Sequence, residues 1–361
     1  MRIAAATSAV ASLPIFTEAH LALAQRPKFA KSDSGIHIDA NENPLGPSVK
    51  AREAIAAIIP KGGRYEFNMQ MDLAETFAKL EGLDPESVMP YAGSSEPLHY
   101  TVLAYTDPSK PLVIADPGYE AGEKAARFVG AKVVRVPLRK DGSHDVKEMC
   151  LASPSAGLIY VCNPNNPTGS VTRKEDIDYL VAHMPAETLL LLDEAYIHLS
   201  TTAETGTPHI TAGKNVMILR TFSKLYGMAG LRAGAALGRP EVLERIKGYA
   251  AGALPVTGMV GATASLKVKG LVEQRRKTIA DIREETAEWL AKKGFAFFPS
   301  EANMLMIDVR RPGREVLQAM FKEKVAIGRI WPSMPNHVRI SIGTRDEMAK
   351  FRAAFARVMN A

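Results

Sequence analysis

Residues 220–234 read Arg220-Thr-Phe-Ser-Lys-Leu-Tyr-Gly-Met-Ala-Gly-Leu-Arg-Ala-Gly234 and directly follow the short apolar segment Val216–Leu219. A continuous apolar run of this length predicts a buried strand. Lys224 would therefore lie where the strand ends and a turn rich in small residues begins. Burial lowers the pKa of a lysine, and a neutral amine can attack a carbonyl group and hold a Schiff base.

Three side chains close to Lys224 are of the types that bind phosphate. Thr221 and Ser223 carry hydroxyl groups next to it, and Arg232 follows eight residues later. Hydroxyl and guanidinium donors form strong hydrogen bonds to phosphate oxygens. The alternative for the whole segment is a surface loop with a solvated lysine.

The composition is that of an ordinary globular protein. The chain has 361 residues, 46% of them hydrophobic and 23% charged, and this length suits one large domain or two. The net charge of +6 comes without a long basic run, so attraction to small anions explains it and no nucleic-acid partner is expected. Two cysteines suit neither a disulfide framework nor a metal site. No apolar run is long enough for a membrane-spanning helix, so no membrane partner is expected either.

The start of the sequence leaves the cellular location open. Residues 3–24 are rich in alanine and end in Ala22-Leu-Ala24-Gln25, a pattern that a signal peptidase could accept. Glu18 and His20 interrupt the apolar part, however, and Arg2 is the only basic residue that precedes it. We therefore expect a cytoplasmic protein, and export to the periplasm is the alternative.

Apolar segments alternate with helical patterns through the first two thirds of the chain. The predicted strands begin at Val88 and include Leu112–Ala115, Lys132–Val136, Gly157–Cys162, Thr188–Leu192 and Val216–Leu219. Continuous apolar strands separated by helices predict an α/β fold with a mostly parallel sheet that helices cover on both faces. Ligands bind at the carboxyl ends of the strands in such sheets.

The last third predicts a smaller α+β domain. Its expected helices are Leu266–Lys292, Arg314–Lys322 and Arg345–Met359, and its expected strands are Phe295–Phe298, Met304–Asp308, Val325–Arg329 and His337–Ile342. We expect an N-terminal extension over residues 1–35, an N-terminal segment with a gate helix over 36–60, a large domain over 61–250 and a small C-terminal domain over 251–361.

Polar residues follow several of the predicted strands. Ser94 and Ser95 lie in a turn before a helix, where free backbone N–H groups favour an anion, although an ordinary helix cap is the alternative. Asp193 ends an apolar strand, and a buried carboxylate there requires a cationic partner such as the protonated ring nitrogen of a pyridine cofactor. Asn166 and Tyr196 offer hydrogen bonds at neighbouring strand ends.

Together these residues supply the contacts that pyridoxal 5′-phosphate requires. Tyr119 adds an aromatic face on which the cofactor ring can stack. The set then contains an amine, an acid for the ring nitrogen, donors for the phenolate oxygen and a group of phosphate ligands.

Seven segments, taken in order, resemble the motifs of fold-type-I aminotransferases of class I and II, and within them the histidinol-phosphate aminotransferase-like branch. They extend over about residues 36–358. The segments are Asn41-Glu-Asn-Pro-Leu-Gly46, Gly93-Ser-Ser-Glu96, Asp116-Pro-Gly-Tyr119, Asn163-Pro-Asn-Asn-Pro-Thr-Gly169, Asp193-Glu-Ala-Tyr196, Ser223-Lys224 with Arg232, and Val338-Arg-Ile-Ser-Ile-Gly343.

The resemblance implies roles for the residues around the cofactor. Lys224 would bind it covalently and move a proton between the substrate Cα and the cofactor C4′ atom, and Asp193 would keep the ring nitrogen protonated. Asn166 and Tyr196 would hydrogen-bond the phenolate oxygen, and Tyr119 would stack on the ring. The implied phosphate ligands are Ser94, Ser95, Thr221, Ser223 and Arg232.

The resemblance also implies a homodimer with shared active sites. Tyr65 matches the tyrosine that reaches the phosphate of the partner subunit. Arg339 matches the arginine that binds the substrate α-carboxylate, a contact that suits the guanidinium fork. Asn41 and Arg329 are further expected substrate ligands, and a strand-end surface arginine is the alternative for Arg339.

Two positions depart from the histidinol-phosphate aminotransferase pattern. Leu45 replaces an aromatic residue that helps to hold the substrate phosphate, and Ser95 replaces an aspartate. Arg329 could bind a distal phosphate or carboxylate, whereas Ile330 and Trp331 make that end of the site more apolar.

We therefore expect amino transfer from an amino acid or an amino-alcohol phosphate to a 2-oxo acid such as 2-oxoglutarate. The alternatives are an aromatic amino acid aminotransferase, a threonine-phosphate decarboxylase-like lyase, and a cofactor-binding protein without catalysis.

Overall fold

The computed structural model describes residues 15–26, 35–250 and 252–360, and that part of the chain contains thirteen α-helices and eleven strands. The helices are α1 Glu18–Leu23, α2 Val49–Ile58, α3 Asn68–Glu81, α4 Ser95–Tyr105, α5 Ala121–Phe128, α6 Val146–Leu151, α7 Lys174–His183, α8 Thr207–Thr211, α9 Pro240–Lys247, α10 Val256–Leu266, α11 Leu271–Lys292, α12 Gly313–Lys322 and α13 Arg345–Met359. The strands are β1 Ile36–Ile38, β2 Val88–Tyr91, β3 Leu112–Asp116, β4 Val133–Pro137, β5 Leu158–Cys162, β6 Leu189–Asp193, β7 Val216–Thr221, β8 Gly234–Gly238, β9 Met304–Asp308, β10 Val325–Ile327 and β11 His337–Ser341.

The core is a seven-stranded sheet in the order β2-β8-β7-β6-β5-β3-β4. Strands β3 to β7 pair in parallel, and every residue of the central strands β5, β6 and β7 is buried. This arrangement confirms the predicted α/β fold with a mostly parallel sheet. It also brings the carboxyl ends of β5, β6 and β7 to one edge, where a ligand site is expected.

Strand β8 was not predicted, and it runs antiparallel to both β7 and β2. Its sequence, Gly234-Ala-Ala-Leu-Gly238, lacks the β-branched residues that mark most strands. A Cβ atom at Gly234 would lie 2.6 Å from the carbonyl carbon of Gly93 and 2.8 Å from the carbonyl oxygen of Arg220. The strand therefore requires glycine at position 234, and its reversal returns the chain from β7 to the end of β2.

The last third contains helices α11 to α13 and the antiparallel pair of β9 and β11, while β10 pairs in parallel with β1. Three predicted elements need correction. Phe295–Phe298 forms no strand, because only Phe297 pairs with Ile307 and Pro299, which has no N–H group, follows immediately. The helix expected from Leu266 begins at Leu271, after Gly270 with a φ of 73°. The strand expected to reach Arg329 ends at Ile327.

Helix α2 follows Ser48, whose hydroxyl caps it by accepting from the Ala51 amide at 3.2 Å. Residues 1–14 and 27–34 of the predicted extension, and with them most of the signal-like segment, lie outside the described residues. Residues 18–23 form the short helix α1, and its Leu21 and Ala22 are buried against the rest of the protein. Among the described helices, none combines the length and the apolar character that a membrane crossing requires.

Candidate active site

A cavity of about 370 Å³ opens at the carboxyl ends of the parallel strands. Ten of the residues predicted to bind the cofactor line it. They are Ser94, Ser95, Tyr119, Asn166, Asp193, Tyr196, Thr221, Ser223, Lys224 and Arg232. The sheet thus brings together residues that are up to 138 positions apart in the sequence, since the lining runs from position 94 to position 232.

Lys224 lies just after β7 and is buried. Its ammonium group donates to the carbonyl oxygens of Asn41 at 3.0 Å and Ala40 at 3.4 Å, and it lies 5.6 Å from the centre of the Tyr196 ring. Burial lowers the pKa of Lys224 to about 8. The neutral amine that covalent chemistry requires is therefore accessible near neutral pH.

Asp193 is the last residue of β6, and its carboxylate is buried. It accepts hydrogen bonds from the Tyr160 hydroxyl at 2.9 Å and from the Ala195 amide at 3.1 Å. Burial raises the pKa of Asp193 to about 6, although the Tyr160 hydrogen bond opposes this shift. Sequence reasoning missed Tyr160, which could have been noticed as the one hydroxyl-bearing side chain within the apolar strand β5.

Donors for an anion gather at the other end of the cavity, around the start of α4. Arg232, with a φ of 55°, donates to the carbonyl oxygens of Ala229 at 2.9 Å and Ala92 at 3.0 Å. A Cβ atom at Gly93 would lie 2.3 Å from the Arg232 guanidinium, so the turn before α4 has room for this arginine only because residue 93 is glycine. The helix start and the arginine together favour a phosphate at this end.

Thr221 and Ser223 complete the same end of the cavity. The Thr221 hydroxyl donates to the Ser223 hydroxyl at 2.9 Å and accepts from the Ser223 amide at 3.1 Å. These bonds fix the turn that follows β7, so the two hydroxyl groups and Lys224 are held on one short stretch of chain.

Two residues that line the cavity, Tyr196 and Asn166, are hydrogen-bonded to buried residues around it. The Asn41 amide donates to the Tyr196 hydroxyl at 3.0 Å. The Asn166 amide donates to the Glu18 carboxylate at 3.1 Å, and its oxygen accepts from Arg339 at 2.7 Å. Asn166 therefore joins the predicted cofactor site to the predicted substrate site.

The two predicted substrate arginines, Arg329 and Arg339, are buried and do not line the cavity. The Glu18 carboxylate of α1 lies between them and the open space. One of its oxygens is 2.7 Å from the terminal nitrogen of Arg339 and 3.1 Å from Nε of Arg329. Glu120 forms a second, two-point ion pair with Arg329 at 2.9 Å and 3.1 Å.

Burial raises the pKa of Glu18, but attraction to Arg329 and Arg339 outweighs that effect and lowers the pKa to about 2. Sequence reasoning missed this role, because Glu18 was noticed only as an interruption of an alanine-rich segment. Trp331, expected to make this end of the site apolar, lies against both arginines, with its ring centre 4.7 Å and 5.4 Å from their guanidinium carbons.

Tyr65, the one predicted cofactor ligand outside the set of ten, does not line the cavity of its own chain. It is 70% exposed and stacks on Phe67 with 5.6 Å between the ring centres.

The donor set around the cavity fits pyridoxal 5′-phosphate. Lys224 supplies the amine, Asp193 the acid, and the turn around Gly93 leaves space for a guanidinium beside the helix start. A mostly parallel α/β sheet with this combination at its carboxyl edge defines a pyridoxal-phosphate enzyme of fold type I.

Comparison with known proteins identifies the family. The sequence model of the aminotransferases of class I and II matches residues 34–355, and the chain belongs to this family. It is therefore a pyridoxal-phosphate-dependent aminotransferase, with amino and keto acids as its substrates. It is 31% identical to a histidinol-phosphate aminotransferase of Moorella thermoacetica, over 90% of this chain and 85% of the relative.

Two further relatives carry the same name. The histidinol-phosphate aminotransferase of Symbiobacterium thermophilum is 33% identical over 88% of each chain. The crystal structure of the enzyme from Sinorhizobium meliloti in complex with pyridoxal 5′-phosphate superposes with a TM-score of 0.82 and 26% identity, and the match covers 90% of this chain and 91% of that chain. The chain is thus a histidinol-phosphate aminotransferase-like enzyme.

Proposed function

We propose that this aminotransferase takes its amino group from histidinol phosphate and passes it to 2-oxoglutarate. The observation that carries the proposal is the convergence of Arg329 and Arg339 on a single carboxylate oxygen beside the Lys224 cavity. Two guanidinium groups aimed at one point form an anion site, and a phosphate or a carboxylate suits their geometry. The names of the relatives supply the choice of donor.

The roles of the surrounding residues are part of the same proposal. When bound, the cofactor draws electrons away from the substrate Cα through its protonated ring. Lys224, as a neutral amine, takes a proton from that Cα atom, and Asp193 keeps the proton on the ring nitrogen. Tyr160 and the Ala195 amide orient the Asp193 carboxylate.

The remaining cavity residues hold and orient the cofactor in this proposal. Asn166 and Tyr196 hydrogen-bond the phenolate oxygen, and Tyr119 stacks on the ring. Ser94, Ser95, Thr221, Ser223 and Arg232 bind the phosphate. Asn41 supports Tyr196 through the bond between their side chains and lies beside the substrate.

A panel of amino donors tests the proposal. The purified holoenzyme is given histidinol phosphate, phenylalanine or phosphothreonine together with 2-oxoglutarate, and glutamate formation is followed. We expect the highest kcat/KM with histidinol phosphate and no turnover by Lys224→Ala. A preference for phenylalanine would overturn the donor assignment, and release of carbon dioxide from phosphothreonine would identify a decarboxylase.

We further propose a homodimer in which Tyr65 reaches the cofactor phosphate of the partner subunit. Its exposure and its absence from the lining of the cavity of its own chain support this. We also propose a large domain over residues 61–250 and a small domain over residues 251–361. For the cellular location we propose the cytoplasm. The mass of the purified protein in its native state tests the dimer.

A further inference from the structure

The N-terminal helix α1 occupies the anion site with a residue of the protein itself. Glu18 lines the cavity and receives hydrogen bonds or ion pairs from Arg339, Arg329 and Asn166. These are donors that a substrate carboxylate or phosphate would use. An external anion cannot reach them while Glu18 is in place.

Both arginines of this cluster already have carboxylate partners. Two guanidinium groups, Arg329 and Arg339, face two carboxylates, Glu18 and Glu120. A third anion beside the two arginines would meet two carboxylates and no unpaired guanidinium group, which is unfavourable. An incoming anion must therefore replace a carboxylate, and Glu18 is the one between the arginines and the cavity.

Contacts at both ends hold residues 16–26 in place. At one end the Phe16 amide donates to Nε2 of His99 at 3.2 Å, and the Lys124 ammonium lies 3.5 Å from the centre of the Phe16 ring. At the other end the Gln25 side chain donates to the carbonyl oxygen of Ile330 at 3.1 Å and accepts from its amide at 2.8 Å.

Arg26 completes the C-terminal attachment with two hydrogen bonds to Asp39 at 2.6 Å and 2.9 Å. The Asp39 carbonyl in turn accepts from Arg339 at 2.6 Å. Between these attachments lies only the short helix α1, with Leu21 and Ala22 as its buried apolar side chains. Displacement of Glu18 would therefore expose little apolar surface.

We propose that Glu18 is an internal competitor for the anionic group of the substrate. It holds the arginine pair between turnovers, and a substrate anion displaces it together with α1. The proposal rests on the proposed function, because it takes Arg329 and Arg339 as the substrate anion site. When a substrate anion replaces the Glu18 carboxylate, the arginine pair keeps an acceptor. The free energy needed to displace Glu18 therefore weakens the apparent affinity of the protein for the substrate anion.

Succinate is a suitable probe because it carries two carboxylates but neither an amino nor a keto group, so it binds without turnover. Its Kd is measured calorimetrically on the holoenzyme and on Glu18→Gln, which keeps the shape of the side chain but removes the charge. We expect Glu18→Gln to bind succinate about 10-fold more tightly or better, the result for a competitor that occupies the site at least about 90% of the time. The matched control is Glu123→Gln, whose carboxylate pairs with Arg127 and Arg135 outside the cluster and whose loss should leave the Kd unchanged.

Hydrogen–deuterium exchange supplies the second readout. Saturating succinate should accelerate exchange of the backbone amides of residues 18–24 in the wild-type holoenzyme. An unchanged Kd in Glu18→Gln, or exchange of these amides that is unaltered or slower with succinate, would overturn the proposal.

Arg339→Leu separates failure of this inference from failure of the proposed function. If Arg339→Leu loses succinate binding while Glu18→Gln gains nothing, the anion site is right and the competitor is wrong. If Arg339→Leu binds succinate as the wild type does, the anion site itself is wrong. Arg339→Lys, which keeps the charge but not the fork, provides the same comparison should the leucine variant fail to fold.

Discussion

Lys224 and Asp193 are both buried in the cavity, and burial moves their pKa values toward each other, to about 8 and about 6. Burial disfavours the charged form of each group, so the shifts have opposite signs. Near neutral pH both groups are therefore close to their point of charge change. A cofactor that brings its own charges can then set the protonation state of either residue at little cost.

Asp193→Asn should separate the catalytic from the structural effect of this carboxylate. Because the folded-state pKa of Asp193 is raised, its protonated form favours folding at low pH, and that contribution is lost as the pH rises through about 6. Above pH 6 the ionised carboxylate is a buried charge that destabilises the cofactor-free protein. We expect Asp193→Asn to raise the free energy of unfolding by about 1–3 kcal/mol at pH 8, and by less at pH 5.

Urea denaturation of the cofactor-free proteins at the two pH values measures this difference. Aminotransferase activity of the same variant should fall by at least about 100-fold, because asparagine cannot hold the ring-nitrogen proton electrostatically. A variant that is less stable than the wild type at pH 8 would assign Asp193 a structural role.

The reversal from β7 into β8 forms one side of the site. The connection between these strands carries Ser223 and Lys224 at its start and Arg232 near its end. Since β8 pairs with β2, Arg232 comes to lie beside Gly93 at the start of α4. The anion-binding end of the cavity is thus formed where the β7–β8 connection, the end of β2 and the start of α4 meet. Gly93 lets Arg232 approach the start of α4.

Gly93→Ala tests this arrangement. The new methyl group would overlap the Arg232 guanidinium, at 2.3 Å, so the arginine must move away from the helix start. We expect the Kd for pyridoxal 5′-phosphate to rise about 10-fold or more, the effect of losing a hydrogen bond to a charged group. Equilibrium dialysis with the cofactor measures the change.

The matched control is Gly82→Ala. Gly82 has a similar left-handed backbone, with a φ of 69° against 89° for Gly93, but nothing lies within 4 Å of its added Cβ atom. Both variants should lose about 1 kcal/mol of stability from the backbone strain. Equal cofactor affinities in the two variants would show that contact with Arg232 does not matter.

The positions of site residues could be predicted from the sequence where a residue follows a strongly apolar strand. Asp193 and Lys224 lie at the ends of such strands, and a parallel sheet brings the ends of neighbouring strands to one edge, so their proximity could be predicted. The antiparallel strand β8 was not predicted because its small residues form no apolar pattern typical of a strand. Gly234 is required there by close contact with the backbone of Gly93 and Arg220, which the sequence alone does not show. Glu18 escaped for a different reason: its partners Arg329 and Arg339 are more than 300 positions away, and no local pattern connects them.

The surface of the molecule also carries information that single motifs do not. Most of the exposed large apolar side chains in the described part of the chain fall between positions 45 and 80. They include Tyr65 and Phe67, which stack on each other in the connection before α3. Exposed apolar side chains concentrated in one stretch of the chain make that stretch a candidate for association with another molecule.

Phe67→Glu should therefore prevent the proposed dimer. Phe67 is 56% exposed, and a carboxylate at its position would be buried without a partner if a second subunit covers it. Sedimentation velocity should give a dimer for the wild type and a monomer for Phe67→Glu. Leu151→Glu is the matched control, because Leu151 is 74% exposed but lies at the end of α6, outside the region between positions 45 and 80, so this variant should stay dimeric.

The monomer should also release pyridoxal 5′-phosphate more readily, since Tyr65 of the partner subunit would no longer reach the phosphate. A dimeric Phe67→Glu would place the interface elsewhere, and a monomer with unchanged cofactor affinity would remove Tyr65 from the site.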